Sequence, residues 1–203
     1  VNQPVLLFDT QRVPVEVKAN DIQDFKFLFW LKQPRSTDIS LRKFDIDMNG
    51  CDGVHHKALF VGPAAANFNN IHMSYVNAAN GDANIDGVGS ENKQCDLFAT
   101  ETDGGGVYMH NNTADHLMRF FWANDLRANS NASSTIKKLR FYNNTITNLA
   151  KIGISFDCYC SDIDIADNSF VHHAANARTG NLINTPTRVY AAASQEPEIK
   201  IVN

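Results

Sequence analysis

The string Leu139-Arg140-Phe141-Tyr142-Asn143-Asn144 decides the fold of this 203-residue chain, because its pattern returns twice. The first copy is Ile163-Asp164-Ile165-Ala166-Asp167-Asn168, 24 residues later, and the second is Ile199-Lys200-Ile201-Val202-Asn203, a further 36 residues on. All three have apolar residues at the first and third positions and Asn or Asp at the fifth. Such alternation predicts a short β-strand with one buried face. The repetition predicts that these strands stack as the rungs of a solenoid.

A shared core and a shared turn account for the pattern. Stacking the rungs about 4.8 Å apart would join their apolar faces into one core, which no single rung could bury alone. Asn at the end of a strand tolerates a left-handed backbone, and stacked Asn side chains can pair their amides. We therefore predict that Asn144 and Asn168 are turn residues of such a ladder.

Weaker copies of the pattern occur upstream. They lie at Phe44–Asn49, Ile71–Ser74, Val107–Asn112 and Phe120–Asp125. One of the last two segments, Val107–Asn112 or Phe120–Asp125, can be a second strand within a shared rung. Outside Ala114–Trp122, no stretch keeps the apolar period of a helix. The sequence therefore predicts an all-β chain with loops, the longest of them between 174 and 197.

One domain is expected over 1–203, with a less regular segment at 1–36 and the rungs at 37–203. The chain begins without Met and ends inside a strand pattern. We therefore expect it to be a fragment of a longer protein.

The rungs resemble those of a known superfamily. The segment Ile136–Phe170, with its strand, Asn-Asn-Thr turn, short apolar pair and Gly-Ile strand start, is similar to the pectate-lyase-like right-handed parallel β-helix proteins. The resemblance extends loosely over 37–203. It implies a right-handed parallel β-helix with loop insertions between rungs. Within the superfamily, irregular rung lengths and few cysteines most resemble a bacteriophage tailspike, a polysaccharide depolymerase; this implies a homotrimer located in the phage virion or secreted.

Composition excludes some partners. The formal net charge of −4 and scattered basic residues make nucleic acid an unlikely partner, and no apolar run is long enough to span a bilayer. The four cysteines are expected to be inert thiols. The sequence contains two pairs of adjacent histidines, His55-His56 and His172-His173. Adjacent residues on a strand point to opposite faces and cannot easily share one ion, so no metal is expected. No other cofactor is expected. Calcium remains an open alternative for the Asn- and Gly-rich stretch 77–92.

Two carboxylate pairs are candidates for catalysis. Glycoside hydrolysis needs two carboxylates about 5 to 9.5 Å apart, and Asp45 and Asp47, two residues apart on a strand, would be about 6 to 7 Å apart. Glu101 and Asp103 precede Gly104-Gly105-Gly106, a predicted flexible bend at which a ligand or another backbone could approach. Solvated surface residues and an exposed turn explain the same carboxylates without chemistry.

Outward side chains would form a groove for an extended sugar chain. The predicted register puts Asp45, His72, Arg140, Asp164 and Lys200 in one outward column, and Asp47, Ser74 and Tyr142 in the next. The candidate substrate-binding residues are His72, Tyr108, Trp122, Arg140, Tyr142 and Asp164. Aromatic rings can stack on sugars, but they also serve subunit contacts. Arg140 beside Asp164 or Lys200 could serve a lyase, or could simply form an ion-pair ladder.

Three functions remain open at this point. The leading hypothesis is an enzyme that binds and cleaves a bacterial surface polysaccharide, by glycoside hydrolysis. The second is a non-catalytic receptor-binding or structural shaft segment of a phage tail protein. The third is a secreted polysaccharide lyase or epimerase.

Overall fold

Two parallel β-sheets make up the described part of the protein. The computed structural model describes residues 6–8, 18–19, 27–31, 38–47, 56–61, 68–79, 95–100, 104–117, 119–124, 135–149, 152–157, 159–172, 183–184 and 198–202. Within these ranges the chain forms strands and no helix, and every strand pairing is parallel. The prediction of an all-β chain is confirmed for this part of the chain.

The strands divide between a seven-stranded sheet A and a ten-stranded sheet B. Sheet A contains β1 (Leu6–Phe8), β3 (Phe27–Leu31), β5 (His56–Val61), β7 (Cys95–Thr100), β10 (Arg119–Asn124), β13 (Ile152–Asp157) and β16 (Ile183–Asn184). Sheet B contains β2 (Lys18–Ala19), β4 (Asp38–Asp47), β6 (Phe68–Ala79), β8 (Gly104–His110), β9 (Thr113–Asp115), β11 (Thr135–Tyr142), β12 (Thr145–Leu149), β14 (Tyr159–Ala166), β15 (Ser169–His172) and β17 (Glu198–Val202).

Along the chain each strand of sheet A is followed by one strand of sheet B or by two consecutive ones (β8 and β9, β11 and β12, β14 and β15), and paired strands come from successive passages of the chain through the same sheet. This order is compatible with a parallel β-helix. Strands β10 and β16 lie in stretches for which the sequence predicted a possible helix and a long loop. Strand β10 takes the place of the C-terminal part of the only candidate helix, Ala114–Trp122, and it belongs to sheet A. Strand β16 lies inside the predicted long loop, 174–197.

The register of the three strongest repeats is as predicted. Leu139 pairs with Ile163, and Ile163 pairs with Ile199. Upstream, the predicted register that puts Asp45 beside His72 is wrong, because His72 pairs with Ser40. Strand β4 contains two segments of alternating residues, one before and one after Lys43. The predicted register aligned the segment after Lys43 with the segment of β6 that comes before its own bend.

A left-handed residue divides sheet B into two halves. The residues with positive φ at this position are Lys43 (60°), Tyr75 (56°), Asn111 (55°), Asn143 (51°) and Asp167 (55°). The pairings on either side of them put these residues opposite one another in successive strands. We call the residues before this position the first half of sheet B and those after it the second half.

A ladder of buried and half-buried amides follows the bend. Asn112, Asn144 and Asn168 occupy the position directly after the left-handed residue, and their side chains are hydrogen-bonded in series. Asn112 Nδ2 donates to Asn144 Oδ1 (2.9 Å), and Asn144 Nδ2 donates to Asn168 Oδ1 (2.8 Å). The predicted amide ladder is therefore present. The positive φ, however, belongs to the residue that precedes each of these Asn residues. One residue therefore supplies the left-handed backbone of the turn, and the next supplies the amide of the ladder.

The core lies between the two sheets. Phe121 of β10 packs at 5.1 Å between ring centroids against Phe141 of β11, and Phe98 of β7 lies 5.3 Å from Phe121. All three side chains are fully buried. Strands of both sheets thus contribute apolar side chains to one continuous cluster, as the alternation in the sequence predicted.

The glycine run Gly104–Gly106 begins strand β8, and it is not a flexible bend. A Cβ on Gly104 would lie 1.9 Å from the Phe68 ring, and a Cβ on Gly105 would lie 2.0 Å from the backbone oxygen of Asn69. The glycines are needed because strand β6 approaches so closely. The glycine run was expected to let a ligand or another backbone approach closely, and the structure shows the close approach of the β6 backbone at Gly105. Glu101 and Asp103, the carboxylates predicted beside this run, lie outside the described residues.

In the residues that the structure describes, no helix has the length and apolar character needed to cross a membrane.

Candidate functional site

The outward side of the first half of sheet B carries polar and aromatic side chains in regular columns. One column contains Ser40, His72, Tyr108, Arg140 and Asp164, and Lys200 continues its register. The next contains Arg42, Ser74, His110, Tyr142 and Ala166, and the preceding one contains Asp38, Asn70, Gly106, Lys138 and Asp162. The residues between the columns, such as Met109 and Phe141, are buried. We call these three columns the polar–aromatic face.

Five of the six predicted binding residues lie together on this face. They are His72, Tyr108, Arg140, Tyr142 and Asp164. Asp45 was predicted to share their column, and this was wrong: it lies in the second half of sheet B, opposite Asn77 and Lys18. Its exposed side chain belongs to a separate outward column with Asn77 and Thr113.

Asp47 is also in the second half of sheet B, where it pairs with Ala79. The prediction that it shares a column with Ser74 and Tyr142 is wrong, because both of those residues lie before the bend. The side-chain position of Asp47, and with it the predicted Asp45–Asp47 carboxylate separation, lies outside what the structure describes.

His72 and Tyr108 form an aromatic stack at the centre of the face. Their ring centroids are 4.5 Å apart and their planes differ by 8°. Both side chains are half-buried. Because they occupy the same register position in neighbouring strands, the parallel pairing of β6 and β8 is sufficient to bring the rings face to face. The pair presents a rigid, flat and partly polar surface.

Arg140 is held by the strand next to it. Its Nη2 donates to Asp162 Oδ2, and its Nη1 donates to the carbonyl oxygens of Leu139 (3.1 Å) and Asp162 (3.2 Å). The hydrogen bond from Arg140 holds the pKa of Asp162 below its usual value, and the same bond raises the pKa of the guanidinium. Arg140 lies opposite Asp164 in register, as predicted, but its ion pair is with Asp162.

Tyr142 and Asp164 form a second polar pair on the face. The Tyr142 hydroxyl donates to Asp164 Oδ2 at 2.9 Å. Burial raises the pKa of Tyr142, and the hydrogen bond to Asp164 raises it further. The hydroxyl therefore remains a proton donor at neutral pH. Asp162 and Asp164 are two residues apart on β14 and belong to the same side of the sheet, so their Cα atoms are about 6 to 7 Å apart by strand rise.

Three further residues, which the sequence did not single out, complete the bend side of the face. The Arg42 guanidinium lies 5.4 Å from the ring centroid of Tyr75, and Tyr75 meets His110 edge to face at 6.0 Å. Asn111 Nδ2 lies 3.0 Å from His110 Nδ1, so that this nitrogen accepts the amide hydrogen. Burial lowers the pKa of His110, as do the nearby His72 and Arg42, so its imidazole is neutral at pH 7. The sequence could have identified His110, because it has the same position in the repeat as Tyr142, which was predicted to bind substrate.

Trp122, the sixth predicted binding residue, lies on sheet A and does not join the others. It is in register with Ala99 and Ser155, and the Arg119 guanidinium lies 4.0 Å from its ring centroid. Arg119 in turn forms a bidentate ion pair with Asp96, with both nitrogen–oxygen distances at 2.8 Å. This pair is buried, and its local role is to hold neighbouring strands together.

A separate polar cluster lies at the end of the second half of sheet B. Asp115 accepts hydrogen bonds from Thr147 Oγ1 (2.6 Å), Asn148 Nδ2 (2.8 Å) and His116 Nδ1. Burial alone would raise the pKa of Asp115, but these bonds keep it below its usual value. His116 and Asn148 both have positive φ, so the cluster fixes a second bend. Its contacts account for a structural role.

Among the side chains that the structure describes, no group of three or more His, Cys, Asp or Glu is arranged to hold a metal ion. Comparison with known proteins found no matching family model, no similar curated protein and no similar solved structure.

Proposed function

We propose that this protein binds an extended polysaccharide along the polar–aromatic face. The single observation that carries the proposal is the set of columns in which His72, Tyr108 and Arg140 succeed one another at one register position. Strand spacing repeats such groups about every 4.8 Å in a direction perpendicular to the strands. A sugar polymer lying in this direction would meet a new polar or aromatic group at every rung. Its rings have apolar faces for stacking and hydroxyl edges for hydrogen bonding.

We also propose that the two sheets are faces of a right-handed parallel β-helix. The passage of the chain from sheet A to sheet B and back supports this, because each such passage then makes one rung. Right-handed connections between parallel strands are nearly universal, which supports the handedness. By resemblance to tailspikes we expect a homotrimer that is part of a phage virion or secreted; light scattering in solution would test the trimer.

Glycoside hydrolysis is the reaction that we propose for this face. The strand rise between the Cα atoms of Asp162 and Asp164 falls within the range of about 5 to 9.5 Å that separates a pair of hydrolytic carboxylates, and both residues lie beside the proposed binding residues. Arg140 favours the ionised form of Asp162, which suits a base or nucleophile. Tyr142 directs a hydroxyl proton at Asp164. Asp45, the earlier candidate, lies in the other half of the sheet.

A non-catalytic shaft or receptor-binding segment is the second candidate. It is favoured by the fact that both carboxylates on the face already have partners, Asp162 in an ion pair and Asp164 in a hydrogen bond. A polysaccharide lyase is a weaker alternative, since Arg140 is engaged by Asp162.

Binding and turnover should be tested with a panel of dextran, xanthan, alginate, purified O-antigens and capsular polysaccharides. We expect saturable binding of at least one, release of reducing ends, and no absorbance of an unsaturated product. Tyr108→Ala should weaken binding about tenfold, or about 1.4 kcal/mol, through loss of the stacked ring. Thr145→Ala, an exposed change in the second half of sheet B, should leave binding unaltered.

The carboxylates are assigned by single replacements. Asp162→Asn and Asp164→Asn should each reduce turnover at least about a hundredfold while binding persists, in line with loss of an acid–base group. Asp45→Asn should have no effect. Binding without turnover by the wild type would favour the shaft, and loss of turnover only in Asp45→Asn would return catalysis to the second half of the sheet. No binding to any member of the panel would refute the polysaccharide proposal.

A further inference from the structure

Tyr75 is an unusual residue for the left-handed position that it occupies at the bend of sheet B. In the neighbouring strands the left-handed position is occupied by Lys43, Asn111, Asn143 and Asp167. Asn and Asp adopt this conformation readily, whereas a bulky aromatic residue with φ of 56° is a clear exception. Strained residues persist where the surrounding structure holds them in place, and they concentrate at functional sites. Tyr75 therefore needs a reason beyond the turn itself.

The surroundings of Tyr75 hold the ring without covering it. The ring has Arg42 on one side in the preceding strand and His110 on the other side in the following strand, at 5.4 and 6.0 Å. Even so, 48% of the residue is exposed, which makes it one of two large apolar side chains that are exposed in the described part of the chain. Packing into a core does not explain its presence, because the core lies on the opposite side of the sheet.

Tyr75 also continues the polar–aromatic face. His110, which contacts its ring, is in the column next to Tyr108, and Tyr108 stacks on His72. Four aromatic side chains thus follow one another from the centre of the face to the bend. The neighbouring Arg42 guanidinium and the His110 imidazole offer hydrogen-bond donors at the edge of such a platform.

We propose that Tyr75 is a stacking platform for one pyranose ring of the bound polysaccharide, at the corner where the polar–aromatic face ends. The inference rests on the proposed function and adds one subsite to it. The exposed part of the phenol ring packs against the apolar face of the sugar, and Arg42 and His110 donate to hydroxyl oxygens at its rim. The left-handed backbone turns the ring outward at the bend, and the protein tolerates the strain for the sake of binding.

Replacement by Asn separates binding from stability, because Asn is the residue that the next two strands carry at this position. Tyr75→Asn should unfold at the same or a higher denaturant concentration than the wild type. It should nevertheless bind the polysaccharide selected from the panel about tenfold more weakly. Tyr75→Phe keeps the ring and should bind within about threefold of the wild type.

Lys43→Asn is the matched control, since Lys43 has the same backbone conformation one strand earlier and carries no ring. It should shift stability in the same direction and leave affinity unchanged. Binding should be measured by isothermal titration calorimetry on the full chain. Unchanged affinity in Tyr75→Asn, with Tyr108→Ala still weakened, overturns the platform and spares the proposed function. Lower stability in Tyr75→Asn than in the wild type overturns the strain argument. Absence of binding by the wild type removes both proposals.

Discussion

Asn144→Ala is expected to lower the free energy of unfolding by about 3 to 5 kcal/mol, because its buried amide makes four hydrogen bonds. Nδ2 donates to the carbonyl oxygen of Met109 (2.9 Å) and to Asn168 Oδ1 (2.8 Å). Oδ1 accepts from the backbone nitrogen of Asn112 (3.1 Å) and from its Nδ2 (2.9 Å). Truncation would leave several of these buried partners unsatisfied, in the middle of the ladder. Denaturant titration followed by far-ultraviolet circular dichroism measures the effect.

Thr145→Ala provides the comparison, since Thr145 is the next residue in the chain and its side chain is exposed. We expect a change within about 0.5 kcal/mol there, as is usual for surface positions. If the two variants were equally stable, the amide ladder would not hold the strands of sheet B together, and the bend would depend on the core alone.

Asp96→Ala is expected to cost about 3 to 5 kcal/mol, the usual effect of removing one partner from a buried ion pair. Arg119 is only 7% exposed and Asp96 is fully buried, so the remaining guanidinium would lose its carboxylate in a site shielded from water. The free energy of unfolding should fall accordingly, as measured by the same denaturant titration.

The double variant Asp96→Leu/Arg119→Met tests whether the charge itself is at fault. Apolar replacements of similar size often restore stability when both partners of a buried pair are removed together. We expect the double variant to recover most of the loss, and the cycle that includes the single variants Asp96→Leu and Arg119→Met to give a coupling energy of at least about 1 kcal/mol. Strict additivity would mean that the two side chains act independently, contrary to their bidentate contact.

The repeat in the sequence was sufficient to predict the strands, their parallel register from Leu139 onward and the amide ladder. These features follow from short-range alternation and from one turn residue, both of which are visible in a string of six residues. The same information placed five of the six binding candidates on one face, because position within a repeat fixes the side of a strand.

Other features depend on distances that the repeat does not contain. The full length of β4 and β6 could not be predicted from the repeat, because the bend within each strand has Lys43 or Tyr75 in place of the Asn or Asp that marks it elsewhere. Asp45 was therefore placed in the wrong column. Trp122 lies in a string with the same alternation as the strands of sheet B, but that string is a strand of sheet A, so alternation alone does not say which sheet a segment joins. The contact of Tyr75 with Arg42 and His110 arises only when three strands are stacked.

Amide chemical-shift mapping tests the central claim, the binding of a polysaccharide on the polar–aromatic face, most directly. An isotope-labelled sample of the full chain would be titrated with oligosaccharides prepared from the polysaccharide that binds. We predict that the largest saturable shifts fall on His72, Tyr108 and Arg140, with little change at Trp122. Shifts confined to sheet A around Trp122, or to the second half of sheet B around Asp45, would contradict the account.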